Sequence, residues 1–436
     1  MKEKALQLYT YAFPLIATEV THWGADDTIG FTHLREFPDS SETRVVRLNM
    51  DTLYSLAFTQ LANTPYVAHV PKIEDRYYLF PILDAYTNVV ESIGTRTPNW
   101  AEGDYILLYQ DQPVPAGYEN YEVIRLQDSL NSILLRIETR GKKDYNYINK
   151  YQDQFELRPL YPERLEPVPG SQGAPAHVME TISAEEFFTL FAKLSVVNPI
   201  RDPEIQKAAS EFGIITENNG IISSKSEDAD SKKIYNKFDY NSLDSEKREA
   251  LEFSVREGFA TVINAPVNPA DLVISNGWYS KFTDIGSYGE NYAARASVAY
   301  HGWGANIPQD SAYASSLEKL DANKKYKIHI KKDGFPHAEY FWSLTLYGEP
   351  SQYPVPNKID RFAINTYDVD DGIVQRNPDG SLDIIVSREE PTDSLERKNW
   401  LPAPTEEDAF SLTIRIYWPD EFTLQGKWEA PVISEF

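Results

Sequence analysis

Apolar and polar positions alternate in short runs near both ends of the chain, a pattern that predicts half-buried β-strands. Gly and Pro separate these runs at the spacing typical of a sandwich or barrel. In the N-terminal part the predicted strands are Arg47–Leu56, Tyr66–Val70, Arg76–Leu83, Thr87–Ile93, Asp104–Tyr109, Glu122–Leu126 and Ser132–Glu138. In the C-terminal part they are Tyr326–Ile330, Tyr340–Tyr347, Arg361–Thr366, Leu382–Val386 and Ser411–Tyr417.

Helical periodicity replaces alternation at the N-terminus and in the middle of the chain. Apolar residues recur at helical spacing within residues 1–22, and Ser183-Ala184-Glu185-Glu186 forms a capping box before an apolar run. Asp202-Pro203 and Asp244 predict the starts of two further helices, and residues 291–299 predict another. The polar residues 222–243 have little apolar area, so we expect a mobile loop there.

The predicted fold class is a multidomain α+β protein, with two mainly antiparallel β-sandwich or jelly-roll-like domains and an intervening helical region. The predicted parts are an N-terminal helix, an N-terminal β-domain, a connector, a helical region, a mixed helix and loop region and a C-terminal β-sandwich, at residues 1–22, 23–140, 141–180, 181–265, 266–323 and 324–436. Similar strands recur at like offsets in the two β-domains, which suggests a tandem pair: Arg76–Phe80 with Glu339–Ser343, and Ser132–Ile137 with Ser411–Ile416.

Composition narrows the function classes. The 436 residues carry a formal charge of −24, which repels nucleic acid and anionic lipid, so neither is an expected partner. The absence of cysteine excludes disulfides, thiolate metal sites and a Cys nucleophile. No apolar run is long enough for a membrane span, and no signal peptide is evident, so we expect a cytoplasmic protein. A small-molecule ligand and a homo-oligomer are both compatible with this composition.

One polar strand face is the main candidate for a site. Strand alternation places Arg47, Asn49 and Asp51 on one face, and Asp84 and Arg96 flank the next aromatic strand. We predict that these five side chains surround one pocket, with C-terminal aromatic residues as its far wall. Asp51 and Asp84 are the candidate general acid and base, and the Arg and Asn side chains are candidates for holding an anionic or hydroxylated ligand. A buried network that only fixes a loop is the alternative.

Four further residues complete the candidate ligand-binding set. Tyr54 follows the polar residues on the same predicted strand, and His301 lies beside Gly302-Trp303-Gly304. Trp342 and Trp400 are aromatic platforms, the second in a Pro-bracketed segment expected to be a domain contact or a cleft wall. No metal site is predicted and no cofactor is specified. The chain lacks GxSxG, GxxxxGK[ST] and GxGxxG, which argues against elbow-type serine hydrolases, P-loop NTPases and Rossmann oxidoreductases.

Several blocks of residues resemble a two-part bacterial family. The N-terminal blocks, which resemble domain of unknown function 1254, are Asn49–Tyr54, Asp75–Tyr78, Asp84–Asn88 and Ile93–Arg96. The C-terminal blocks, which resemble domain of unknown function 1214, are Arg295-Ala296, Gly304–Asn306, Phe341–Tyr347, Asp379–Ser381, Asn399–Pro404, Arg415–Pro419 and Gly426–Trp428. This resemblance implies β-domains joined by a helical segment, and it supplies no established reaction.

Two interpretations of function therefore stand. In the first, the protein is an enzyme, such as a hydrolase, that acts on a small polar or glycan-like molecule by carboxylate acid–base chemistry in a cleft between the β-domains. In the second, it is a non-catalytic ligand-binding or structural assembly protein. An open pocket that contains the five polar residues favours the first, and a buried network in which their hydrogen bonds are satisfied favours the second.

Overall fold

The fold is described from a computed structural model that covers residues 1–25, 29–37, 47, 49–97, 102–216, 220–223, 232–265 and 272–436. Its α-helices are α1 (Lys2–Trp23), α2 (Tyr145–Gln152), α3 (Pro175–Thr181), α4 (Ala184–Leu194), α5 (Pro203–Glu211), α6 (Ser245–Ile263), α7 (Tyr292–His301), α8 (Thr366–Asp370), α9 (Ser394–Lys398) and α10 (Glu421–Leu424).

The strands divide into an N-terminal and a C-terminal set. Those before α3 are β1 (Thr32–His33), β2 (Thr52–Phe58), β3 (Tyr66–Val70), β4 (Tyr78–Leu83), β5 (Val89–Gly94), β6 (Gly103–Tyr109), β7 (Glu122–Leu126), β8 (Ser132–Glu138) and β9 (Glu156–Pro159). Those after α5 are β10 (Gly220–Ser223), β11 (Lys232–Tyr235), β12 (Leu272–Ser275), β13 (Trp278–Lys281), β14 (Ser311–Ser316), β15 (Leu320–Asp321), β16 (Tyr326–Ile330), β17 (Ala338–Glu349), β18 (Ala363–Asn365), β19 (Leu382–Ser387), β20 (Trp400–Pro402), β21 (Ala409–Pro419) and β22 (Val432–Glu435).

Two sheets form the N-terminal sandwich, in the strand orders β1-β2-β8-β4-β5 and β7-β6-β3-β9. Alternation along β8 explains why the sheet has an apolar inner face, because Ile133, Leu135 and Ile137 all enter the buried core between the sheets. Strand β9 pairs with β3, so part of the segment predicted as a connector is an edge strand of this sandwich.

The helices around α1 form a second apolar core. Helix α1 contacts α3, α4, α5, α6 and α7, and its buried side chains share a cluster with Phe187 and Phe191 of α4. The predicted helix starts are confirmed, because Ser183, Asp202 and Asp244 accept hydrogen bonds from backbone N–H groups in the first turns of α4, α5 and α6. No helix in the described parts of the chain is both long and apolar enough to cross a membrane.

The C-terminal sandwich has the strand orders β12-β13-β14-β21-β17-β18, with β15 also paired to β21, and β20-β19-β16-β22. Strands β12 to β15 lie within the region predicted as mixed helix and loop, and they extend this sheet. The predicted multidomain α+β fold with two mainly antiparallel sandwiches is confirmed.

The two sandwiches have matching topologies. Across the sheets, the strand order β2-β8-β4-β5 corresponds to β14-β21-β17-β18, and β7-β6-β3-β9 corresponds to β20-β19-β16-β22. The pairs β6–β7 and β19–β20 are both parallel within otherwise antiparallel sheets. Unlike strand orders would have refuted the tandem-pair hypothesis, and the orders agree.

Two local predictions differ in outcome: the start of the first strand is corrected, and part of the predicted mobile loop lies outside the described residues. The first predicted strand was placed at Arg47–Leu56, but β2 begins at Thr52 and Arg47 has a φ of +52° that interrupts an extended run. Of the predicted mobile loop at 222–243, residues 224–231 lie outside the described residues. The flanking strands β10 and β11 pair as an antiparallel hairpin.

Candidate functional site

Strand alternation would continue the predicted polar face of Arg47, Asn49 and Asp51 through the odd-numbered residues of β2, but these residues face the core. Leu53 and Ala57 enter the sandwich core, so Thr52, Tyr54 and Leu56 lie on the outer face of the sheet. On that face the Tyr54 ring contacts the guanidinium of Arg136, its partner on β8, with the Arg136 Cζ atom 5.3 Å from the ring centroid. Tyr54 is therefore part of the surface that the N-terminal sandwich turns toward the rest of the protein.

Asn49 and Asp51 join the two sandwiches. The Asp51 carboxylate is only 2% exposed, and its Oδ2 accepts hydrogen bonds from Ser343 Oγ at 2.6 Å and Tyr417 Oη at 2.9 Å. Asn49 Nδ2 donates to Tyr417 Oη at 2.9 Å, while Asn49 Oδ1 accepts from the backbone N–H groups of Asp51 and Thr52. The segment before β2 is thus bonded to β17 and β21 of the C-terminal sandwich.

Arg47 reinforces the same contact. Its Nη2 lies 3.2 Å from Oε1 of the buried Glu349 and donates to Ser411, and its Nη1 donates to Thr413 at 3.1 Å. The Arg47 carbonyl accepts a bond from Arg415 Nη2 at 3.0 Å. We call this set of residues, Arg47, Asn49, Asp51, Ser343, Glu349, Arg415 and Tyr417, the interdomain clasp.

Arg96 makes a separate link between the sandwiches. Its Nε lies 2.6 Å from Oδ1 of the buried Asp310, and Ser92 donates to the other Asp310 oxygen at 2.5 Å. Asp310 immediately precedes β14, as Asp51 immediately precedes the corresponding strand β2. Each sandwich therefore contributes one buried aspartate that is bonded by strand residues of the other.

Two arginines on the corresponding strands β8 and β21 also link the sandwiches, each by bonding to the segment ahead of the first matching strand of the other sandwich. Arg136 on β8 donates to Asn306 Oδ1 and, at 2.6 Å, to the carbonyl of Gly304, which lies ahead of β14. Arg415, on the corresponding strand β21, donates to the carbonyl of Arg47 ahead of β2. Gly304 has a φ of +78°, and a Cβ there would lie 2.6 Å from the Leu134 side chain, so the close approach requires glycine.

The clasp suits a structural role better than chemistry. Burial raises the pKa of Asp51, against the opposing effects of Arg415 and the hydroxyls of Ser343 and Tyr417. Asp51 lines neither of the two cavities described below. The five residues predicted to surround one pocket instead fall into three networks: the clasp, the Arg96–Asp310 link and the surroundings of Asp84.

Asp84 is bonded within its own turn and to the helical region. Its Oδ1 accepts from the backbone N–H groups of Tyr86 and Asn88 at 2.9 and 2.8 Å, which fixes the carboxylate after β4. Arg201, just before α5, places Nη1 3.5 Å from Asp84 Oδ2 and Nη2 2.6 Å from Oδ1 of Asp128. One guanidinium thus bridges two buried carboxylates from different loops.

A cavity of about 100 Å³ opens beside this bridge, lined by Asp84, Val90, Arg125, Leu126, Gln127, Asn131 and Arg201. Burial and the neighbouring Asp84 charge raise the pKa of Asp128 to about 7, while Arg201 opposes the shift. Asn131 is fully buried, and its Oδ1 has no hydrogen-bond partner among the described residues. The site therefore combines a fixed carboxylate, a partly exposed guanidinium and an unpaired amide oxygen.

The remaining candidates lie elsewhere. His301 is exposed at the end of α7, where its Nε2 contacts the carbonyl of Ile263. Trp342 is buried in the core of the C-terminal sandwich, and Trp400 lies in β20 with its Nε1 donating to Ser387. Trp400 was expected at a domain contact or a cleft wall; it is 2% exposed and lines neither the Asp84 cavity nor the larger groove described below. In the described ranges no group of three or more His, Asp or Glu side chains could hold a metal ion.

Sequence reasoning missed Asp128 and Arg201. Arg201 stands 117 positions after Asp84, in a different domain, and no local pattern joins them. Both missed residues nevertheless lie beside predicted elements, Asp128 between two strands and Arg201 before the Asp202-Pro203 helix start. A search for charged residues next to element ends would have included them, together with many others.

Comparisons with known proteins place the chain by family and fold. A family described as "Protein of unknown function (DUF1254)" matches residues 30–159, and one described as "Protein of unknown function (DUF1214)" matches residues 308–421. The crystal structure of the VPA0106 protein from Vibrio parahaemolyticus shares the fold, with a TM-score of 0.68, 18% identity, and coverage of 100% of this chain and 99% of that one.

An uncharacterized protein from Burkholderia cenocepacia is also similar, with a TM-score of 0.44, 11% identity, and coverage of 98% of this chain and 87% of that one. No curated protein matches the chain. The two family matches lie on the two sandwiches, in the order in which the sequence blocks occur. The chain belongs to the family of proteins in which a DUF1254 region is followed by a DUF1214 region, both of unknown function.

Proposed function

We propose that the protein is an enzyme that binds a small polar molecule in the cavity beside Asp84 and transfers a proton with that carboxylate. One observation carries the proposal: Asp84 lines the cavity while it shares Arg201 with the buried Asp128. Buried pairs of like charges are concentrated at active sites, where they set the protonation states that acid–base catalysis needs. The site lies between the N-terminal sandwich and the helical region, away from the contact between the sandwiches.

The two carboxylates have different roles. Asp84 faces the cavity and is the group that would contact a ligand, whereas Asp128 does not line it. Because burial and the Asp84 charge raise the pKa of Asp128, this carboxyl stays protonated to a higher pH than an ordinary aspartate. Ionised Asp128 competes with Asp84 for the charge of Arg201, and protonated Asp128 releases the guanidinium toward Asp84 and a ligand. Asp128 is accordingly a positioning residue that acts through Arg201.

The cavity limits the ligand. A volume of about 100 Å³ holds roughly three water molecules, at about 30 Å³ each, so only a terminal group can enter. The Asp84 carboxylate in the lining calls for a hydroxyl or amine donor, and the Arg201 side chain, 42% exposed, can bind an oxygen acceptor. A hydroxylated small molecule or the end of a glycan-like one has both groups.

The non-catalytic interpretation has its own support. The interdomain clasp is buried and bonded, as a structural assembly role requires, and Arg201 likewise connects the helical region to the N-terminal sandwich. If assembly is the whole function, replacement of Asp84 changes stability and no small molecule is retained or consumed.

Metabolite profiling with matched variants separates these outcomes. Purified wild-type protein and the Asp84→Asn and Asp111→Asn variants are incubated with a polar metabolite extract, and consumed and retained compounds are measured by mass spectrometry. Asp111 is an exposed aspartate outside the cavity, so it controls for the charge change. We expect wild type and Asp111→Asn to deplete the same compound and Asp84→Asn to leave it unchanged. Equal profiles for all three proteins contradict the proposal.

A further inference from the structure

A second concave site lies beside β2 and β3 of the N-terminal sandwich. This groove has a volume of about 310 Å³, at the lower end of the range for small-molecule sites. Fifteen of the described residues line it, among them His22, Ala25, Phe58, Gln60, Glu166 and Val168. These residues come from the end of α1, from β1, β2 and β3, and from the segment after β9, and none of them lines the Asp84 cavity.

The groove is held in shape by hydrogen bonds that need no ligand. Gln60 Nε2 donates to the carbonyl of Glu166 at 2.9 Å, and Gln60 Oε1 accepts from the Glu166 backbone N–H at 2.8 Å. The Gln60 backbone N–H donates to Tyr66 Oη at 3.2 Å. These bonds fix the segment at 162–168 over the strands. A preformed groove binds without the entropic cost of ordering its walls.

Aromatic rings form one end of the groove. The His22 imidazole contacts Phe58 with ring centroids 4.6 Å apart, and Phe58 contacts Trp303 with centroids 6.1 Å apart. His22 Nδ1 is buried and makes no hydrogen bond in the described structure, although Glu19 Oε2 lies 3.5 Å away. A flat ring can therefore stack at this end. The carboxylate of Glu166 on the groove wall can accept a hydrogen bond from an amine or hydroxyl on that ring.

The charges around the groove select against anions. Glu166 is on its wall and Glu19 lies next to His22, in a protein of formal charge −24. The Nζ atom of Lys193 lies 3.6 Å from Oε2 of Glu166 and forms an ion pair with it. We propose that this groove is a second binding site, for a small neutral or cationic aromatic molecule that carries an amine or hydroxyl group.

Fluorescence of N-phenyl-1-naphthylamine, a neutral aromatic amine, tests the proposal with intact protein. We expect saturable binding, and weaker binding of 1-anilinonaphthalene-8-sulfonate, which has a similar ring system with an added negative charge. Binding of the sulfonate that equals or exceeds binding of the amine overturns the assignment, as does the absence of saturable amine binding.

Two groove-filling variants locate the probe. Ala25→Trp and Val168→Trp each add a large ring inside the groove, and either should weaken binding of the amine by about tenfold or more, equivalent to about 1.4 kcal/mol. Ala116→Trp adds the same ring at an exposed position outside the groove and should leave the affinity unchanged. If one filling variant does not fold, the other decides. Unchanged affinity in a folded filling variant contradicts the proposal.

Discussion

Replacement of Asp51 distinguishes a structural role of this residue in the interdomain clasp from a catalytic role. Asp51→Ala removes a 2% exposed side chain and deprives the hydroxyls of Ser343 and Tyr417 of the carboxylate that accepts their hydrogen bonds. Loss of one member of a buried charged network costs about 3 to 5 kcal/mol, so we expect that loss of stability. Asp51→Asn keeps a neutral acceptor, and since charge-assisted bonds are roughly twice as strong as neutral ones, it should cost about half as much.

The assay is urea unfolding followed by tryptophan fluorescence and circular dichroism. Asp111→Asn, a change at an exposed aspartate, is the matched control and should stay within about 0.5 kcal/mol of wild type. A double-mutant cycle of Asp51→Asn with Tyr417→Phe should show an interaction free energy of about 0.5 kcal/mol or more, because the two side chains share a hydrogen bond. The structural role of Asp51 is refuted by an Asp51→Ala variant that is as stable as the Asp111→Asn control, together with additive changes in unfolding free energy for Asp51→Asn and Tyr417→Phe.

Three other changes have defined outcomes. Because burial raises the folded-state pKa of Asp128 above the ordinary 3.8, the stability that protonated Asp128 contributes below pH 4 should be lost as the pH rises through the folded-state pKa, and Asp128→Asn should make the fall in stability less steep in unfolding measurements from pH 4 to 8. Gly258→Ala should lower the melting temperature despite better helix propensity, since the new Cβ would lie 2.3 Å from Tyr9, and overpacking costs about 1 to 3 kcal/mol; a rise would contradict the packing of α1 on α6. Arg96→Met should cost about 2 to 4 kcal/mol by stranding Asp310, and adding Asp310→Asn should recover part of that loss, so full additivity in urea unfolding would argue against the pair.

Strands with a clean alternation were predictable from sequence. Strand β8 has apolar residues at the alternate positions 133, 135 and 137, and β21 has them at 410, 412, 414 and 416; the similarity between these strands correctly indicated a tandem pair of sandwiches. The face of β2 was not predictable, because Tyr54 and Leu56 look as apolar as Leu53 and Ala57, which fill the core. Both faces of this strand are covered in the folded chain, so alternation alone could not choose between them.

The partners of each candidate residue depended on tertiary structure. Asp84 meets Arg201 across 117 positions, a contact that only the packing of the helical region creates. Trp400 looked like a loop residue because Pro402 and Pro404 follow it. In the structure β20 is an edge strand, where proline is tolerated, and the tryptophan points into the protein.

A crystal structure with the compound that the wild-type protein depletes or retains tests the proposed site most directly. To prevent turnover, crystals of Asp84→Asn are soaked alongside those of the wild type. The account predicts ligand density in the cavity beside residue 84, within hydrogen-bond distance of Arg201 or Asn131. Density that lies instead against the interdomain clasp around Asp51, with the Asp84 cavity holding only solvent, would contradict it.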